Sequence, residues 1–405
     1  MLSDQSRPII EATLPVVGEN LPEITKLFYA RMFANRPELL DGVFSRANQK
    51  NGTQQQALAG SIAAFATMLV NNPGTLPEKV LSRIAHKHTS LGIVEEQYPI
   101  VYENLFAAIV EVLGDAVTPE VAEAWTEVYW LMADALIKIE KGLYAEQAND
   151  KMWADWKITS KSAVSDGAIE FRLTPADDTP VTIAKPGQYV SVRVRLEDGL
   201  RQARQYTLSD SIYSSTERVF TTKLDEGGEV SPFLHRNLNV GDVVELSNPY
   251  GEIVLDENET APLVIATAGI GCTPSASILA ALAARGSDRE ILVLHADRNE
   301  DSWALKQQML ESIEKLPNAR FQLWLEDAEG AAETLDVAEG FMNLGDVKLP
   351  ENANILLCGP LPFMRAIRSA AIEAGVPATN IQYEVFGPRP LVGRPGTPHE
   401  RSEAR

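Results

Sequence analysis

LVIATAGIGCTPSASILAALAARG, residues 263–286, reads as a buried strand, a glycine-bearing turn and the helix that follows it. Six residues of apolar run lead into Gly269-Ile270-Gly271, and Thr273-Pro274 reads as a helix start. A lone Gly-x-Gly is weak evidence. Between a strand and a helix it makes a credible dinucleotide site, because free backbone N–H groups there can face phosphate. Outward towards the C-terminus the pattern repeats. ILVLHAD (291–297), FQLWLED (321–327) and NILLCG (354–359) alternate with helical stretches such as SWALKQQMLESIEKL. Buried strands alternating with helices imply a parallel sheet, here over residues 262–388. CGPLPFM (358–364) closes the last of these strands and opens one more helix. Arg298 could bind a 2′-phosphate while Asp297 beside it would repel one, which leaves NADH against NADPH open. RPLVGRPGTPHERSEAR (389–405), rich in Pro, Gly and Arg, reads as a disordered tail.

Towards the N-terminus the period changes to two. QYVSVRVRL (188–196) alternates apolar and polar, and RVFTTKL and DVVELS are short β-like runs between Gly- and Asp-rich turns. This is the pattern of a small antiparallel barrel over residues 148–261. RQYTLS (204–209) puts Arg204, Tyr206 and Leu208 on one face and Gln205, Thr207 and Ser209 on the other. In EGGEVSPFLH (226–235) two glycines lead into Ser231 as N-cap and Pro232 at N1, a second start that can receive a pyrophosphate.

Before the polar segment AEQANDK (145–151) the chain reads as helix throughout residues 1–147. LPEITKLFYARMF, ALAGSIAAFATMLV, YPIVYENLFAAIVEVL and VAEAWTEVYWLMADALIKIEKGLY all repeat apolar residues at three- and four-residue spacing. Asn72-Pro73-Gly74 and Thr118-Pro119 punctuate them. At about 100° per residue His88 shares a stripe with Leu81, Ile84 and Leu91, and His86 points nearly opposite. A histidine on an apolar stripe is either a hydrogen-bonded core residue or an axial metal ligand. Glu140 lies in the stripe of Ala133, Leu136 and Leu143, where a carboxylate needs a partner. That partner is either a surface lysine or the second ring nitrogen of a ligating histidine.

Composition bounds the function. The chain of 405 residues is 45% hydrophobic and 23% charged, which fits several folded domains. A formal charge of −20 argues against nucleic-acid or anionic-membrane binding. No apolar run approaches the roughly 18 residues of a membrane span, and the N-terminus shows no secretory pattern. With Cys272 and Cys358 as the only cysteines there is no disulfide framework, so the expected compartment is the cytoplasm.

LFYARMFANRPEL, NQKNGTQQQAL, KHTSLGIVEEQYPIV and IEKGLYAE resemble the globin domain of bacterial flavohaemoglobins, over nearly all of residues 1–147. The resemblance implies haem b held by His88 as proximal ligand, with Tyr98 and Glu140 as the hydrogen-bonded pair behind it. It implies Tyr29 as the distal hydroxyl that bonds dioxygen, Gln54 and Leu58 beside it, and Phe44 packed on the haem face. Matching Phe44 needs one extra residue after Tyr29. Lys87 would lie towards the reductase side and influence electron entry.

The order of RQYTLS, EGGEVSPFLH, TAGIGCTP, CGPLPFM and YEVFGP (383–388) resembles the ferredoxin-reductase superfamily over about residues 150–388. That implies FAD and NAD(P)H as cofactors. Arg204 would bind FAD phosphate, Tyr206 would pack on the isoalloxazine, Thr207 would bond near its reactive nitrogen, and Tyr189 would support it. Gln205, Gly228, Val230 and Ser231 complete the implied flavin contacts. Gly269, Ile270, Gly271, Cys272, Thr273 and Pro274 would cradle NAD(P)H, with Cys358, Gly359 and Pro360 close to the nicotinamide. Glu384, Val385, Phe386, Gly387 and Pro388 would lie at the flavin face. The family pattern has Cys where this chain has Val385 and Gln where it has Cys272.

The implied architecture is multidomain: an all-α globin, an antiparallel β-barrel FAD domain and a parallel α/β NAD(P)-binding domain. The implied function is nitric oxide dioxygenase, with nitric oxide and dioxygen as substrates and the chain acting as a monomer. A haem-based gas sensor or oxygen-binding protein, and a reductase for other acceptors, are the alternatives.

Overall fold

The computed structural model describes residues 1–385, apart from 47, 48, 50, 51, 73–77, 211, 212, 333 and 334. The expected tail, Phe386, Gly387, Pro388 and the Pro73-Gly74 break lie outside the described residues. Those described fall into two compact units, one ending at Asp256 and the other beginning at Glu257.

The first unit opens with helices α1 (Ser6–Asn35), α2 (Thr53–Asn71), α3 (Glu78–Ser90), α4 (Tyr98–Leu113) and α5 (Pro119–Ala145). Thr118 caps α5, its side chain accepting from the Val121 N–H, with Pro119 at the first helical position. The α5 stripe buries Ala124, Trp125, Val128, Ala133 and Leu136 against α1, α2 and α3, and carries Glu140 inwards with it. A second cluster gathers Ile24, Phe28, Tyr29 and Met32 of α1 with Leu105, Ala108 and Ile109 of α4.

The same unit continues into strands β1 (Ala154–Ser165), β2 (Ala168–Pro175), β3 (Tyr189–Arg195), β4 (Arg201–Asp210), β5 (Arg218–Lys223) and β6 (Val243–Leu246). They close a barrel in the order β1-β2-β5-β4-β3-β6, antiparallel throughout. Short helix α6 (Val230–Arg236) sits between β5 and β6. It begins two residues earlier than the sequence suggests: Glu229 is the cap, Ser231 is inside the helix, and the Ser231 hydroxyl accepts from the Asp225 N–H. Gly227-Gly228 form the preceding turn, which brings the helix start ahead of Ser231.

The second unit is a parallel sheet of β7 (Leu263–Ala268), β8 (Ile291–Asp297), β9 (Ala319–Leu325), β10 (Val337–Glu339), β11 (Asn354–Cys358) and β12 (Ile381–Glu384). Helices α7 (Cys272–Ala284), α8 (Lys306–Glu314) and α9 (Leu361–Glu373) connect them. Strand order is β10-β9-β8-β7-β11-β12. From β7 the chain first builds outward on one side and then returns to the other, so the switch lies between β7 and β11. In such sheets ligands bind outside the carboxyl ends of the strands at that point. Here too the helix starts early. Gly269–Gly271 form a single 3-10 turn and α7 begins at Cys272, so Thr273-Pro274 lie within its first turn.

Candidate functional site

His88 sits in the last turn of α3, Tyr98 at the start of α4 and Glu140 near the end of α5. The fold brings the three side chains together. Glu140 Oε1 lies 2.8 Å from His88 Nδ1 and accepts a 2.6 Å hydrogen bond from the Tyr98 hydroxyl. Tyr98 Oη is also 3.2 Å from His88 Nδ1. Glu140 is 2% exposed, and these two donors are what let a carboxylate sit there. Burial, then the adjacent Glu140 charge, pushes the Tyr98 phenol well above its ordinary range, so it remains a donor. An ionised carboxylate only accepts, which assigns the proton to Nδ1 and leaves the lone pair on Nε2. That tautomer suits metal ligation through Nε2.

Among the described residues no group of three or more His, Cys, Asp or Glu is placed to hold a metal ion. A single histidine in apolar surroundings fits iron whose other equatorial ligands come from a macrocycle, and so fits haem.

Tyr29 is 5% exposed, with its ring 4.7 Å from Phe28, 5.7 Å from Phe33 and edge-on to Phe44 at 5.9 Å. Leu58 packs into the same cluster, and Gln54 hydrogen-bonds the Tyr29 hydroxyl. Burial pushes this phenol well above its ordinary range and outweighs the opposing effect of Gln54. Ile62 and Tyr129 pack against both this cluster and the one containing Tyr98.

A polar bridge joins α3 to the barrel. The Lys87 ammonium donates to Gln205 Oε1, Gln205 Nε2 donates to Ser191 Oγ at 2.8 Å, and Ser191 Oγ donates to Ser90 Oγ at 3.0 Å. The Gly251 N–H donates to His86 Nδ1 at 3.0 Å, so His86 faces the barrel while His88 faces Glu140. Ser90 and Ser191 were not singled out from the sequence. The available signal was slight: a small hydroxyl between the valines of YVSVRV, buried on the face it shares with half-buried Arg193 and exposed Arg195.

On β4, Thr207 pairs in register with Tyr189 of β3. Thr207 is 2% exposed and its hydroxyl has no hydrogen-bond partner among the described residues. An orphaned buried hydroxyl marks a place built for a ligand's polar atom. Tyr206 stacks on Phe220 at 5.5 Å and 14°, and burial draws the Arg204 guanidinium below its ordinary range. Arg204 donates to the Ala203 carbonyl at 2.8 Å. Val230 is buried, Gly228 lies over Asp225, and the Glu229 carboxylate pairs with Arg46 at 2.8 Å. The α6 start therefore offers no serine cap to a pyrophosphate, and any phosphate contact there would use backbone N–H groups.

In the second unit Gly271 and Gly359 meet at the switch point. A Cβ on Gly271 would fall 2.4 Å from the Cys358 carbonyl oxygen, and one on Gly359 would fall 2.9 Å from the Phe363 ring. Two motifs nearly ninety residues apart thus form one cradle that only glycine permits. Ile270 belongs to the 3-10 turn and Thr273 donates to its carbonyl at 3.2 Å, while Pro274 is buried and Pro360 caps α9. Cys272 and Cys358 are free and buried. The Cys272 thiol donates to the Ala304 carbonyl at 3.2 Å. Burial, aided by the Glu384 carboxylate, pushes the Cys358 thiol far up. Glu384 ends β12 in register with Cys358, and Val385 packs on the unit's core. Asp297 turns inwards: it is 7% exposed and accepts from the Arg298 N–H at 2.8 Å, while Arg298 is exposed.

Three family models match the chain: Globin over residues 26–136, Oxidoreductase FAD-binding domain over 155–255 and Oxidoreductase NAD-binding domain over 264–369. A flavohemoprotein of Chromobacterium violaceum is 41% identical over 96% of this chain and 99% of that protein. One of Rhizobium meliloti is 39% identical over 96% and 99%. The crystal structure of a flavohemoglobin from Malassezia yamatoensis, with bound FAD and heme, matches with a TM-score of 0.90 at 43% identity, covering 95% of this chain and 100% of that one. The flavohem-like FAD/NAD-binding domain of nitric oxide dioxygenase from Vibrio cholerae matches with a TM-score of 0.53 at 32% identity, covering 58% and 98%.

Proposed function

The chain belongs to the flavohaemoprotein family, with globin, FAD-binding and NAD-binding domains, and from that premise we propose that it is a nitric oxide dioxygenase. Electrons from NAD(P)H would pass through FAD to haem iron, and nitric oxide with dioxygen would leave as nitrate. Each nitrate carries off one electron, so one hydride serves two turnovers. When bound, haem b supplies the redox-active iron, and FAD splits the hydride's electron pair into single electrons.

The observation that carries the reading is Glu140 set against His88. A carrier of dioxygen needs no anionic partner behind its ligand. An enzyme that activates dioxygen gains from one, because a carboxylate accepting the Nδ1 proton makes Nε2 a stronger donor. Tyr98 holds that carboxylate in place. On the other side Tyr29 offers a proton to a polar diatomic, Gln54 orients it, and Leu58 and Phe44 keep the surroundings apolar. Lys87 and Gln205 would link the His88 helix to the flavin strand, along which Arg204, Tyr206, Thr207 and Tyr189 would hold FAD, with Gly228, Val230 and Ser231 near its phosphates. Gly269, Ile270, Gly271, Thr273 and Pro274 would receive the nicotinamide cofactor, with Cys358, Gly359, Pro360 and Glu384 at its reactive end. Cys272, turned to Ala304, would shape this turn from beneath. Among the described residues no helix is long and apolar enough to cross a membrane, and cytoplasmic action of a monomer is part of the proposal.

The test is product analysis on the purified haem- and FAD-loaded protein. Nitric oxide, dioxygen and NAD(P)H consumption should be coupled to stoichiometric nitrate. Oxidation of NAD(P)H without nitrate would leave an oxidoreductase of another kind.

A further inference from the structure

The stretch from Leu40 to Arg46 leaves a short 3-10 turn, Pro37–Leu40, and enters no strand or longer helix before Arg46. Its backbone groups need partners elsewhere, and they find them on β4. The Gly42 N–H donates to the Arg201 carbonyl at 2.9 Å. Asp41 accepts from the Arg201 N–H at 2.7 Å and from its guanidinium at 2.7 and 3.1 Å. Gln202 is fully buried and uses both ends of its amide. Its Oε1 accepts from the Arg46 N–H at 3.2 Å, and its Nε2 donates to the Leu40 and Phe44 carbonyls at 3.3 and 3.4 Å and to the Arg201 carbonyl at 2.9 Å. The Arg46 guanidinium closes the segment by pairing with Asp198 and Glu229. A satisfied buried amide, bonded to backbone atoms more than 150 residues away, specifies one arrangement of the segment.

That arrangement decides where Phe44 goes. Phe44 matches the globin pattern only with one extra residue after Tyr29, and α1 runs unbroken to Asn35, so the extra length falls between Asn35 and Phe44. Gly42 lies there with φ +92°, a left-handed conformation that favours glycine, and a Cβ on it would meet the Arg193 side chain at 3.3 Å. The turn is thus pressed against β3 and β4. Phe44 then stands edge-on to Phe33 at 5.3 Å and to Tyr29 at 5.9 Å. By the alternation of β4, whose register with β3 is unbroken here, Gln202 shares a face with Arg204 and Tyr206. We propose that Gln202 is a positioning residue for the oxygen pocket: from the flavin strand it fixes Phe44, and Phe44 fixes the orientation of the Tyr29 hydroxyl. The proposal rests on the reading of Tyr29 as the distal hydroxyl. The strand that would hold FAD then also shapes the pocket that would hold dioxygen.

The experiment uses the full haem- and FAD-loaded chain, with carbon monoxide on the reduced protein as the probe. Its infrared stretch falls in frequency when a donor hydrogen-bonds its oxygen, so the band reports where the Tyr29 hydroxyl points. Gln202→Met keeps the volume and removes all of these hydrogen bonds. It should split the band, adding the position seen in Tyr29→Phe, and accelerate dioxygen dissociation by roughly three- to tenfold. In the Tyr29→Phe background the same change should alter dissociation by less than about twofold, because a residue acting through that hydroxyl has nothing left to act on. FAD content and flavin reduction by NAD(P)H should be unchanged. Asp41→Asn loosens the segment from its half-exposed side and should move the band the same way by less, which keeps the test open should Gln202→Met fold poorly. Ile158→Val loosens the barrel core elsewhere and should leave the band alone. Unmoved bands in Gln202→Met and Asp41→Asn, equal effects of Gln202→Met with and without the Tyr29 hydroxyl, or the same shift in Ile158→Val would overturn the proposal. A wild type that makes no nitrate but gives the expected bands and dissociation rates keeps the proposal and loses the dioxygenase reading.

Discussion

Glu140 places one carboxylate oxygen 2.8 Å from His88 Nδ1, joining α5 to α3 across 52 residues of sequence. The negative charge there favours the more positive oxidation state of any metal held on Nε2. Glu140→Gln keeps the shape and removes the charge. Outer partners of metal-bound histidines are worth roughly 10–100-fold. That corresponds to a rise in haem midpoint potential of about 60–120 mV for a one-electron couple. Spectroelectrochemistry measures it directly, and an unshifted potential would show that the carboxylate has no such influence. His88→Ala should lose stoichiometric haem, while His86→Ala, which removes only the contact with Gly251, should retain it.

How much of this was legible in the sequence differs from residue to residue. His88 and Glu140 could be found because helical periodicity places a side chain on a stripe, and a polar residue on an apolar stripe demands a reason. The parallel strands β7, β8, β9 and β11 could be found because both faces are covered, which writes a continuous apolar run. β10, three residues long, and the half-exposed β1 carry no such run. The Lys87–Gln205 and Ser90–Ser191 contacts pair residues more than a hundred positions apart, and no periodicity encodes them. The starts of α6 and α7 were displaced because two glycine turns advance the helix ahead of the expected Ser or Thr cap.

The unpartnered Thr207 hydroxyl separates flavin binding from barrel packing. Thr207→Val preserves shape and removes a buried polar atom whose unsatisfied burial costs about 1–3 kcal/mol. The flavin-free protein should therefore melt no lower than wild type. FAD affinity should weaken by roughly two- to tenfold, the worth of one net hydrogen bond. Calorimetry with and without FAD gives both numbers, and unchanged affinity would place the flavin away from this hydroxyl. Arg204→Ala should lose FAD and keep haem. Tyr206→Ala should lose FAD and also melt lower, because it deletes the stack on Phe220.

The Gly271 approach to Cys358 is a contact between backbones, so it cannot relax by a side-chain turn. Gly271→Ala must push the β7 turn away from the end of β11, at an overpacking cost of about 1–3 kcal/mol in the second unit. Reduction of FAD by NAD(P)H should slow markedly. Reduction by dithionite, and the haem and FAD content, should be normal. Stopped-flow absorbance distinguishes the two routes, and normal reduction by NAD(P)H would show that the close approach has no part in receiving the nucleotide.

Tyr29 carries the most direct test of function. Its hydroxyl is buried among Phe28, Phe33 and Phe44, and burial holds its proton far above physiological pH, so it can act only as a neutral hydrogen-bond partner. Tyr29→Phe deletes that hydroxyl and leaves the aromatic packing in place. A hydrogen bond to a partly charged acceptor contributes about 1.5–3 kcal/mol, so dioxygen dissociation should accelerate by roughly one to two orders of magnitude. Nitric oxide binds with less charge on its outer atom and should respond less. Nitrate formation should therefore fall most when dioxygen is scarce, while flavin reduction by NAD(P)H, whose proposed residues lie on β4 and at the β7 turn, should be untouched. Flash photolysis and single-turnover flavin reduction on the same preparation measure both halves. Unchanged dioxygen dissociation would mean the hydroxyl serves only Gln54, and the distal support for dioxygenase chemistry would be gone.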